Sequence, residues 1–190
     1  MLSPSARDRL VGAAATLFYE RGVTATGVDT VVAEAGVSKA TLYAHFPSKD
    51  DLLAAALEQR HRRRAASLQA FMHRQPPDPR ARVLAVFDWL AAWHRAEGRR
   101  GCAFLNAAAE IVAPDHPALA VARRHKRWMR DYLTTLAAAA GAPNPARTGG
   151  DLLLLLDGAN SRQLVEGDRQ AAAAARRLAA TLLDAPARRR

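Results

Sequence analysis

The sequence predicts an all-α protein, and three observations carry that reading. Helix-start and helix-stop residues recur along the whole chain of 190 residues. Between them, apolar residues recur at helical spacing, and no β-branched alternation runs beyond three or four residues. No internal repeat is visible. The elements follow in order. Ser5–Arg21 opens with Ser5 and Asp8 spaced as a capping box, places Leu10, Val11, Ala14, Leu17 and Phe18 on one face, and stops at Gly22. Thr26 and Asp29 have the same spacing and predict a short second helix that ends at Ala35-Gly36. Ser38 caps a third helix, with Val37 and Leu42 spaced as a hydrophobic staple. Pro47 breaks it, and Ser48 with Asp51 launches a fourth helix through about Ser67.

Three prolines in Gln75–Pro79 mark the clearest boundary. Beyond it, helices are expected at roughly 80–97, 102–112, 117–140, 149–165 and 168–184, separated by Gly98–Gly101, Pro114, Gly141–Gly150 and Gly167. The count is about nine. The expected organisation is a small N-terminal unit over 1–50, a connecting helix over 48–67, and a larger bundle over 68–190.

Composition bounds the class. A hydrophobic share of 49% with a net charge of +10 argues against disorder. A chain of this length buries ~70% of its unfolded surface and needs no metal or disulfide to fold. The single cysteine, Cys102, forms no internal bridge, which fits a reducing, cytoplasmic setting. MLSPSARDRL lacks the apolar stretch of a signal peptide, and the run Leu152–Leu156 is far short of the ~20 residues of a membrane span. The basic excess is a weak argument for nucleic acid. Residues 1–50 balance Arg7, Arg9, Arg21, Lys39 and Lys49 against Asp8, Glu20, Asp29, Glu34 and Asp50, so all of it lies beyond residue 50.

Local placement says more. Residues 28–46, VDTVVAEAGVSKATLYAHF, read as helix, glycine turn, helix, with Val28, Val31, Val32, Val37 and Leu42 as a shared core. That pattern fits a helix-turn-helix and equally an ordinary helical hairpin. The lysines favour the first. Two of only three, Lys39 and Lys49, sit in the first turn of a helix, where a cation opposes the helix dipole unless a phosphate lies over the N–H groups. Thr41, Tyr43 and His45 add donors on or near the exposed side of the third helix.

GVTATGVDTVVAEAGVSKATLYAHFPSKDDLLAAAL, Gly22–Leu57, resembles the DNA-binding domain of the tetracycline-repressor (TetR/AcrR) family, and the run AGVSKATLYAHFPSKDDL is specific to it. The resemblance implies that the third helix enters the DNA major groove. Lys39, Ala40, Thr41, Tyr43 and His45 would then line the DNA surface. Ala40 and Thr41 would read base edges, Tyr43, His45 and Lys49 would anchor phosphates, and Thr26 would meet the backbone. Gly27 and Ala40 stand where the family more commonly has Thr and Gly. Arg60, Arg62, Arg63 and Arg64 either add to the field or are simply solvated.

The resemblance also implies that the C-terminal bundle binds a small-molecule effector and forms a two-fold homodimer. Arg99–Met129 resembles one branch of the family through its GCxFLNAAAE pattern, which names no ligand. Phe87, Trp89, Trp93, His94, Cys102, Phe104, Asn106, Trp128 and Tyr132 make an apolar set with a few polar groups, the composition of a pocket and also of an ordinary core. Leu152, Leu155, Leu156, Leu164, Leu178 and Leu182 are the expected dimer stripe, or else bury within one chain.

No cofactor or metal is expected, because His94, Cys102, His116 and His125 lack the paired spacing of zinc ligands. Cys102 could serve as a thiol sensor or a small buried residue. A thiol enzyme built on Cys102 with His94 or His125 would lack a base-orienting third group. The expectation is a dimeric, non-enzymatic, cytoplasmic regulator, a repressor released from operator DNA by an apolar or aromatic effector. A constitutive DNA-binding protein is the alternative.

Overall fold

The computed structural model describes residues 4–184, and these form nine helices and no strand. They are α1 (Ala6–Arg21), α2 (Val28–Ala35), α3 (Lys39–His45), α4 (Lys49–Met72), α5 (Pro79–Ala96), α6 (Ala103–Glu110), α7 (Pro117–Ala139), α8 (Pro145–Glu166) and α9 (Ala171–Asp184). No helix among them is long and apolar enough to cross a membrane.

The helices group into two compact units that are not contiguous in sequence. One holds the chain up to Arg64 together with Ala103–His125; the other holds Ala65–Cys102 and the chain from Lys126 onward. Helices α4 and α7 are thus divided between the two.

In the first unit, α1 buries the face its spacing predicts, Leu10, Val11, Ala14, Leu17 and Phe18, and packs against α2 and α3. Its cap forms: the Ser5 hydroxyl donates to the Asp8 carboxylate at 2.6 Å and accepts the Asp8 N–H. The same reciprocal pattern joins Ser48 and Asp51 at the start of α4. The predicted box at Thr26 does not form. Gly27 is the cap residue of α2, without a side-chain bond, because the Thr26 side chain is buried and bonded elsewhere. Gly36 ends α2 with φ +62°, and the Val37 N–H closes the turn on the Val32 carbonyl at 3.1 Å. Arg9 of α1 donates to the Ala35 carbonyl at 3.1 Å, satisfying an orphan acceptor at the end of α2.

The same unit carries a histidine pair. The Nδ1 atoms of His61 (α4) and His125 (α7) lie 3.0 Å apart, and Phe104 stacks on the buried His125 with ring centroids 3.7 Å apart. Glu58 and Arg124 form an ion pair beside it.

In the second unit, α5, α8 and α9 pack together around Val83, Val86, Phe87, Leu90, Leu152, Leu156, Ala172 and Ala179. Helix α8 begins four residues earlier than the glycines at 149–150 suggest. Asn144 caps it by accepting the Arg147 N–H at 3.1 Å, and Pro145 occupies the first turn, where no N–H is needed. Gly149 is tolerated inside the helix because α7 passes against it. A Cβ there would lie 2.8 Å from the Thr134 Cα. Helix α4 likewise runs beyond the expected Ser67 to Met72, drawn on by the burial of Leu68 and Met72.

Burial, followed by the neighbouring Arg124 and Arg62, holds the His61 pKa below its ordinary value of 6.5 against the opposing pull of Glu58. The unfolded chain therefore takes up a proton first as pH falls, and stability drops below about pH 6.5. Chemical unfolding at pH 7.5 and pH 5.5 should show this loss, and His61→Gln should reduce it. An equal loss in the variant contradicts the assignment.

Candidate nucleic-acid interface

Helix α3 is seven residues long and buries one side chain, Leu42, which is fully inaccessible. Ser38 caps it by accepting the Thr41 N–H at 3.0 Å, and the two hydroxyls lie 2.8 Å apart. With Leu42 turned inward, residues about half a turn away face outward. Ala40 and Ala44 occupy the centre of that face, and both are exposed, as are Lys39, Tyr43 and His45; Thr41 is half-buried at its flank. Ala44 was not among the sequence candidates: an alanine carries no chemical signal of its own, and the resemblance singled out only Ala40.

Both lysines have partners in the chain. Lys39 pairs with Asp29 of α2 at 2.9 Å, and that hydrogen-bonded pairing raises its pKa. Lys49 donates to the Val23 carbonyl at 2.6 Å and lies over the Phe18 ring. The placement of each at a helix start is therefore explained in part by local partners. Thr26 is corrected more fully. It is 1% exposed, and its hydroxyl donates to the Gly22 carbonyl at 2.7 Å, so its side chain holds the α1–α2 loop and presents no surface for a contact. Arg60 stacks on Tyr19 at 4.2 Å and donates to the Ala15 carbonyl, while Arg62 and Arg63 are exposed.

The residues expected to line an effector pocket are divided between the two units. Phe104 and Asn106 belong to the first, where Phe104 is stacked on His125 and Asn106 lines a shallow groove with Ala15, Phe18, Leu53 and Ala107. The others belong to the second unit. There Phe87, Trp89 and Trp93 are buried in a packed core, and the Trp89 indole donates to the Ser67 hydroxyl at 3.0 Å. Trp128 and Tyr132 stack at its edge, and burial raises the Tyr132 pKa. His94 is buried with its Nε2 3.1 Å from the Asn160 Oδ1, and the Asn160 amide donates to the Leu156 carbonyl. Cys102 is a half-buried free thiol. Among the described residues, no group of three or more His, Cys, Asp or Glu is placed to hold a metal ion.

The predicted dimer stripe also divides. Leu152 and Leu156 are buried inside their own unit and cannot form an interface. Leu155 and Leu182 are half-buried; Leu164 and Leu178 are exposed. Leu154 at 71% and Val165 at 78%, on the same helix, are more open still. An unbroken leucine run conceals its own register, which the packing of α8 against α9 resolves.

Residues 10–56 match the family described as bacterial regulatory proteins, tetR family. The fold is similar to a TetR-family transcriptional regulator from Streptomyces coelicolor, with a TM-score of 0.86 and 36% identity over 94% of each chain. Over 98 residues the chain is 40% identical to the HTH-type transcriptional activator FasR of Mycolicibacterium smegmatis, covering 50% of this chain and 43% of that one. Over 49 residues it is 43% identical to the HTH-type transcriptional repressor KstR2 of the same organism, covering 26% of this chain and 24% of that one. The chain thus spans less than half the length of these two curated relatives. With a family match on α1–α4 and a full-length relative above a third identical, the protein belongs to the TetR family of DNA-binding transcriptional regulators, which are not enzymes.

Proposed function

We propose that the chain acts as a two-fold dimer that reads operator DNA through the outward face of α3. The observation that carries this is the exposure of Ala40, Tyr43 and Ala44 on a helix whose one buried residue is Leu42. Small side chains at the centre of the face allow close approach to base edges, where alanine suits a thymine methyl. Thr41 reads a base edge, and Lys39, Tyr43, His45 and Lys49 anchor phosphates from the flanks. DNA reading belongs to residues 1–50, and the effector and dimer functions to residues 68–190, of which 103–125 group with the N-terminal helices.

The dimer surface is the exposed apolar face of α8 and α9, with Leu154, Leu164, Val165 and Leu178 at its centre and Leu155 and Leu182 at its margin. Apolar residues this open gain ~25 cal/mol per Å² when covered. Two-fold pairing there sets two α3 helices against the two halves of a palindromic site.

We further propose repression as the mode of action in the cytoplasm, released by an apolar or aromatic effector in the C-terminal unit. Relatives of both signs are known, FasR as an activator and KstR2 as a repressor. Occupancy of the groove is enough to exclude a competing protein, whereas activation needs a further contact. The aromatic set Phe87, Trp89 and Trp93 of the second unit supports an apolar or aromatic ligand. Coupling of effector and DNA binding is reciprocal and typically amounts to 1–3 kcal/mol.

Paired variants separate the two surfaces. Ala44→Glu places a carboxylate against the phosphate field and should weaken DNA binding at least about tenfold, with dimer mass and melting temperature unchanged. Leu154→Glu with Val165→Glu should convert the chain to a monomer by analytical ultracentrifugation. Unchanged DNA affinity in the first, or a retained dimer in the second, rejects the corresponding surface. An aromatic or aliphatic compound panel should raise the melting temperature through RT ln(1+[L]/Kd) for at least one member; a flat response across a broad panel supports the constitutive alternative.

A further inference from the structure

The α1–α2 loop leads into the helix-turn-helix, and its backbone is tied at three successive residues. Thr26 donates its hydroxyl to the Gly22 carbonyl at 2.7 Å. Lys49 of α4 donates to the Val23 carbonyl at 2.6 Å. The Thr24 N–H donates to the Glu110 carboxylate of α6 at 2.8 Å, across 86 residues of sequence. The same carboxylate packs on Gly22, where a Cβ would lie 3.2 Å from the Glu110 Oε1. Gly22 has φ +93°, a conformation that favours glycine, and the carboxylate lies close against it.

Glu110 stands where a carboxylate is a poor local choice. It is the last residue of α6, where the helix dipole disfavours negative charge, and it shares a helical face with the buried Ala103 and Ala107. A residue chosen for helix stability would be neutral or basic. At this position the carboxylate accepts the Thr24 amide and lies against the bare backbone of Gly22.

We propose that Glu110 is a positioning residue for DNA reading, which fixes the α1–α2 loop and through it the orientation of α2 and α3. This rests on the reading of α3 as the DNA-contacting helix. Glu110 touches no base or phosphate in this scheme. Its loss therefore lowers discrimination between operator and other sequences without removing a phosphate contact.

The test uses the full chain and the duplex it enriches from a randomised pool, with a scrambled duplex of equal length beside it. Glu110→Ala should weaken binding to the enriched duplex about fivefold, while scrambled binding, salt slope and melting temperature stay close to wild type. Glu110→Gln keeps an acceptor oxygen and should restore most of the affinity. Amide exchange at Thr24, followed by NMR without DNA, should quicken severalfold in Glu110→Ala. Unchanged affinity for the enriched duplex overturns the proposal. So does equal loss on both duplexes accompanied by a lower melting temperature, which makes Glu110 a stability residue only. Should the wild-type chain enrich no duplex, the DNA-reading proposal fails, and unchanged Thr24 exchange separately overturns the clamp.

Discussion

The burial of Leu42 is the constraint on which the rest of the interface depends. A helix of seven residues is too short to hold together alone in water, so α3 exists because it docks. Leu42 is completely buried, Phe46 follows it into the core just past the helix end, and Ser38 satisfies the free Thr41 amide. Full burial of a leucine contributes about 1.5–3 kcal/mol, a large share of what so short an element can draw on. One buried position also decides which residues are left outside. Once Leu42 points inward, Ala40 and Ala44 must point outward.

Around that anchor the first unit is laced by bonds from cationic side chains to backbone carbonyls. Arg9 reaches the end of α2, Lys49 the α1–α2 loop, and Arg60 the carbonyl of Ala15 in α1. The Ala35 carbonyl is an orphan acceptor at a helix end, whereas the Val23 carbonyl also takes the Thr26 N–H and the Ala15 carbonyl lies inside α1, so Lys49 and Arg60 are second donors to them. Segment 103–125 is joined to the N-terminal helices through Glu110 to the Thr24 amide, the Glu58–Arg124 ion pair and His116 to Asp50. The His116 Nδ1 accepts the Ala118 N–H at 3.1 Å, so the ring carries its proton on Nε2, toward the Asp50 carboxylate. These contacts explain why a segment far along the sequence groups with the N-terminal helices.

Much of this was legible because it is local. The buried face of α1, the Ser5, Ser38 and Ser48 caps and the left-handed turn at Gly36 each follow from residues within four positions of one another. What could not be read depends on distant partners. The side chain of Thr26 has the spacing of a cap, yet the core beneath α1 offers it carbonyls that the helix start does not. Gly149 has the look of a helix terminator until Thr134 of α7 is placed against it. Leu152 and Leu154 are equivalent in a leucine run, and only the packing of α8 sends one inward and the other out. The lysines at 39 and 49 read as phosphate seats, whereas Asp29 and Val23 already share them.

The most direct test of the whole account is enrichment of duplexes by the purified chain from a randomised pool, followed by sequencing. The account predicts an inverted repeat whose two halves are contacted once each, with two chains bound per site. Enrichment of a single asymmetric half-site by one chain, or no enrichment above the starting pool, would contradict it.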